Sequence, residues 1–102
     1  MTTPKQLESQ LREQLRQNCD ESERIGYSPK KFRTMMAESG PVGACVRVIR
    51  SAKIPDGLPL NRLELTVEAT VLRGPWKELF DTEVLETAKK RLRAYNRPDL
   101  AI

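Results

Sequence analysis

Four prolines constrain this chain more than any other feature. Pro4, Pro29, Pro41 and Pro75 each follow a threonine, serine or glycine, and each precedes an apolar, periodic segment. Proline suits the first position of a helix, where its missing N–H would have had no partner and its fixed φ is already helical. Repeated four times, the pattern predicts an all-α chain: a compact bundle of about five helices with short proline-led connections.

The segments between the prolines carry helical periodicity. Thr3 and Gln6 frame Pro4 as a capping box, and Leu7, Leu11 and Leu15 then form a narrow seam that Cys19 and Ile25 roughly continue. This predicts an amphipathic N-terminal helix over 4–25, stopped by Gly26. Its seam suits the chain's own core, a second copy or a partner protein. Phe32, Met35 and Met36 mark a second helix ending at Gly40. The third segment, from Pro41 to Ser51, is apolar over more than half its circumference, with Gly43, Arg47 and Arg50 as its polar strip, so it belongs in the middle of the domain. Residues 52–61 hold Pro55, Pro59 and the turn pair Asp56-Gly57, and read as a loop. Asp81 caps a last helix carrying Leu85, Ala88, Leu92 and Tyr95, which ends at Asn96. Residues 97–102 read as a flexible tail.

The stretch Arg62–Phe80 is ambiguous. Leu63, Leu65, Val67, Ala69 and Val71 alternate with polar residues at the period of a strand, which keeps open an α+β alternative with a hairpin from 43–51 and 62–72. The long loop before it counts against a hairpin. With the proline-led starts, the reading becomes a helix from about Thr66 to Arg73, broken at Gly74-Pro75, with Trp76 and Phe80 closing the core.

A chain of 102 residues is the size of a single domain, 1–102. With 38% hydrophobic and 31% charged residues its composition is that of a globular protein. No apolar run is long enough to cross a bilayer and no secretory pattern opens the chain, so the expected location is cytoplasmic, away from membranes. Eighteen basic residues against 14 acidic ones leave a net charge of +4. The pI of about 9.3 admits nucleic acid as a partner. The interspersed signs fit a solvated surface.

Little in the chain is equipped for chemistry. Without histidine, a catalytic base would have to be a carboxylate, lysine or cysteine. Glu64 with Glu68, and Glu83 with Glu86, could share helical faces, but read as helix-start charges and solvated positions. Cys19 and Cys45 are expected to be free thiols, with Cys45 inert on the most apolar segment. Two thiols without histidine fall short of a zinc site. Gly40-Pro41-Val42-Gly43 lacks the lysine and spacing of a phosphate loop. The chain is therefore expected not to be an enzyme, with no catalytic residues, no metal and no cofactors.

Two binding surfaces are expected instead. Lys30, Lys31, Arg33, Arg47, Arg50 and Lys53 form a candidate basic face on the second and third helices, suited to phosphates rather than base edges. Leu7, Leu11 and Leu15 form the candidate helix seam. The leading expectation is a small helical protein acting through its surface on a partner protein, in the manner of an adaptor or inhibitor of nucleic-acid machinery. The runner-up is a nucleic-acid-binding module.

The segment GYSPKKFRTMMAESGPVGACVRVI, then LELTVEATVL, W-x-x-LF and A-x-x-RL-x-x-Y, resembles the pattern GY-x-P-x-x-F, G-x-V, LTVEALVL, LF and A-x-x-RL of a widespread group of small bacterial proteins. The resemblance spans roughly Ile25–Asn96. It implies an all-helical fold and, since the group carries no assigned activity, no catalytic residues. This chain departs from the pattern in a shortened loop before Arg62 and in Val84, where a polar residue would be expected.

Overall fold

The structure, a computed structural model, describes residues 3–51 and 60–101. Four α-helices run α1 (Pro4–Arg24), α2 (Lys30–Arg50), α3 (Val67–Arg73) and α4 (Thr82–Ala94), with 3-10 turns at Leu60–Leu65, Pro75–Leu79 and Pro98–Leu100. No strand occurs among the described residues. The all-α expectation holds, and both arms of the alternative hairpin are helical. Among the described residues the α-helices number four rather than five, because the second and third segments join through a kink within α2. Gly40 supplies it with φ 75° and ψ 173°, a left-handed conformation that glycine adopts without a Cβ penalty.

Local chemistry sets the ends of these helices. The capping box on α1 forms as the sequence suggests: the Gln6 N–H donates to Thr3 Oγ1 at 3.1 Å, and the Thr3 N–H donates to Gln6 Oε1 at 2.9 Å. Gly26, at φ 96°, closes the helix with the Tyr27 N–H donating back to the Ser22 carbonyl at 2.8 Å. Thr66 caps α3 through its hydroxyl, which accepts from the Ala69 N–H at 3.2 Å. Asp81 caps α4, accepting from the Val84 N–H at 2.9 Å.

The core is built from all four helices. Leu7, Leu11, Leu15 and Cys19 on α1 meet Ala44, Cys45 and Ile49 on α2, Ala69, Val71 and Leu72 on α3, and Val84, Ala88 and Leu92 on α4. Trp76 and Phe80 complete it as expected. The Trp76 indole N–H donates to the Thr70 carbonyl at 2.8 Å, so the buried polar tip of the ring is satisfied. Val84 is buried, and its departure from the resembling pattern is accommodated by the core.

Two expectations are corrected. The N-terminal seam is not a free contact surface: Leu7, Leu11 and Leu15 are no more than 2% exposed and pack inside the chain. Residues 97–101, expected as part of a flexible tail, pack back on the domain. Asn96 takes a left-handed φ of 60°, and the Arg97 N–H reaches the Leu92 carbonyl at 2.9 Å, which turns the chain back over the core. Leu100 packs there and Ala101 is buried.

Candidate functional site: a cleft between α1, α2 and α3

Because α2 bends at Gly40, residues from both its ends border one cleft of about 530 Å³. An unbent 21-residue helix would hold those ends about 30 Å apart. One wall comes from the second half of α1, with Leu15, Asn18, Cys19 and Ser22. Lys30, Lys31, Phe32 and Met35 from the start of α2 face Val48 and Ser51 from its end. The start of α3 supplies Thr66, Val67 and Glu68, and Tyr27 lies beside the entrance to α2. Pro29, at the helix start, offers no side-chain cap. The volume lies within the range of about 300–1,000 Å³ usual for ligand sites.

The polar groups of the walls hold the helices together. Asn18 Nδ2 donates to Thr70 Oγ1 at 2.8 Å, while Gln14 Nε2 donates to Asn18 Oδ1 at 2.9 Å. The Thr70 hydroxyl donates in turn to the Thr66 carbonyl at 2.8 Å. This chain fixes α1 against α3 with its buried donors paired.

Glu68 stands out. Although it sits in the first turn of α3, where a solvated helix-start charge was expected, it is 2% exposed. Its Oε2 lies 3.4 Å from Arg91 Nε and has no hydrogen-bond partner. Burial pushes its carboxyl above the ordinary value, against the opposing pull of the Arg91 guanidinium. Arg91 reaches further: Nη1 donates to the Val48 and Ile49 carbonyls at 2.9 and 2.8 Å, closing the last turn of α2 from another helix. A residue of the Lys89-Lys90-Arg91 run is thus a half-buried tie between α2, α3 and α4. Its partner was detectable as a single charge inside the apolar run LTVEATVL.

Of Glu64, Glu68, Glu83 and Glu86, Glu68 alone borders the cleft. Glu64 is bound at 2.7 Å by Arg62, which also pairs with Glu21 on α1 at 3.0 Å. Glu83 and Glu86 lie on α4 and do not border the cleft. Cys19 and Cys45 are both free and buried, and burial raises both thiols above the ordinary range. Neither is an activated nucleophile.

Five of the six residues of the expected basic face are described, and they have different surroundings. Lys30 and Lys31 are exposed at the cleft mouth. Arg33 is engaged by Asp20 at 2.8 Å and Glu23 at 3.0 Å. Arg47 turns to Ser39 at 3.3 Å and Glu38 at 3.9 Å, and neither Arg47 nor Arg50 borders the cleft. Lys53 lies outside the described residues. Among the described residues, no group of three or more metal-ligating side chains converges and no helix is long and apolar enough to cross a membrane. No family model, curated protein or solved structure matches the chain.

Proposed function

We propose that this protein is a non-enzymatic binding module that acts on a partner protein, and that it takes hold of a segment of that partner in the cleft between α1, α2 and α3. The supporting observation is that cleft, which a glycine kink in α2 opens beside the core and which half-buried Phe32, Met35, Val48 and Val67 line. A concave, largely apolar surface with a few polar groups is the usual form of a binding site. Three of the polar or nucleophilic groups in its walls are engaged in the fold: Glu68 by Arg91, Asn18 by Thr70, and Cys19 by burial.

The test is panning of displayed random peptides against the whole protein. Peptides should be recovered on the wild type and lost on Met35→Trp and Val48→Trp, each of which places an indole in the cleft. Melting temperatures within a few degrees of wild type would show that both variants fold. Recovery of the same peptides on both filled variants would remove the cleft from consideration.

A further inference from the structure

Charge around the cleft is unequally distributed, and the imbalance specifies the occupant. Lys30 and Lys31 are exposed at its mouth and, among the described residues, neither has a carboxylate within ion-pairing distance. Arg33, two residues further, is the contrasting case, with Asp20 and Glu23 both on it. Among the described residues, the one acidic side chain in the walls, Glu68, is matched by Arg91 behind it. Among the described residues, the mouth therefore carries two unmatched positive charges above an interior of Leu15, Phe32, Met35 and Val48. Since low-dielectric walls focus such a field, an occupant with negative charge beside an apolar group is favoured over a neutral or basic one.

Resting on the peptide-binding reading above, we propose that the cleft recognises a segment of a partner protein in which an apolar anchor residue is flanked by aspartate or glutamate. The anchor fills the cleft between the two halves of α2. Its acidic neighbours lie at the mouth against Lys30 and Lys31, and the partially charged start of α2 adds a field of the same sign.

The probe is the same library of displayed random peptides, sequenced after selection. Recovered peptides should pair a large apolar residue with neighbouring acids. Their binding should fall about ten-fold on joint Lys30→Glu and Lys31→Glu substitution at low salt, and less at high salt, as expected for exposed charges. Both lysines are exposed, and an unchanged melting temperature would confirm that the variant folds. Peptides that the cleft-filling variants reject but that show no acidic enrichment, or ignore the charge reversal, would overturn the acidic preference and leave the cleft as a binding site. Failure to recover any cleft-dependent peptide would overturn both. A random-sequence DNA duplex that displaces the selected peptides, and loses its own binding with the same two lysines, would overturn the preference for a protein partner.

Discussion

Glu68 and Arg91 set the residue-scale energetics of the domain. A carboxylate with 3% side-chain exposure beside a guanidinium with 15% is an ion pair largely removed from water, and desolvation offsets most of its Coulombic gain. Removing one partner is costly: Arg91→Met should destabilise by about 3–5 kcal/mol in chemical denaturation, because it strands a buried charge and uncovers two carbonyls. The double variant Glu68→Leu with Arg91→Met should recover part of that loss.

The pair also predicts a pH signature. Burial raises the Glu68 carboxyl, so the folded chain holds that proton more tightly than the unfolded chain. The group's contribution to stability therefore grows as pH falls from above the raised value to about 4.5, its unfolded value, and is flat below it. Glu21 acts oppositely. Arg24 and Arg62 hold it at about 2, so its contribution is full above about 4.5 and is lost as pH falls toward 2. The difference in melting temperature between wild type and Glu68→Gln should rise on acidification from neutral pH to about 4.5. A constant difference over that interval would show that Glu68 has no raised proton affinity in the fold. Cys19 and Cys45 give a second check: a thiol reagent should modify neither in the native protein and both after unfolding.

At the scale of elements, the glycines separate turn chemistry from packing. Gly26 has open space around its α-carbon but a φ of 96°, so Gly26→Ala should cost about 1–2 kcal/mol from backbone strain alone. Gly74 has φ −100°, which any residue adopts, yet a Cβ there would clash with the Trp76 ring. That ring is buried and tied by its indole N–H to Thr70, so it has little room to move. Gly74→Ala should therefore destabilise more than Gly26→Ala in thermal melts, and the reverse order would contradict this placement of Trp76.

The same scale shows what was readable in the chain. Helix starts at Pro4, Thr66 and Asp81 and stops at Gly26 and Asn96 were legible because caps and left-handed turns are local chemistry within three or four residues. The seam was legible as a pattern but not in its destination. Leu7, Leu11 and Leu15 have the same spacing whether they face the chain's own core or another chain. Leu11→Ala should now cost about 2–5 kcal/mol, the range for a fully buried leucine, where an exposed seam would lose little.

At the scale of the whole molecule, a radius of gyration of 12.7 Å matches the roughly 13 Å expected of a single packed domain of this length. Its candidate site arises from an arrangement that no local pattern encodes. Gly40-Pro41 was readable as a break between two helices. That the break would bring Lys30, Lys31, Phe32 and Met35 to one cleft with Val48 and Ser51 depends on how α1 and α3 pack against both halves. For the same reason the six basic residues could be found in the chain, but not their division among partners. Arg33 is matched by acids from α1, whereas Lys30 and Lys31 are unmatched at the cleft among the described residues.

Backbone amide shift mapping by nuclear magnetic resonance, with a selected peptide titrated into the whole protein, tests that arrangement most directly. The account predicts the largest shifts at Ser22, Tyr27, Lys30–Phe32 and Thr66–Glu68. Shifts concentrated instead on the outer face of α1 around Arg12 and Arg16, or around Arg47 and Arg50, would contradict it.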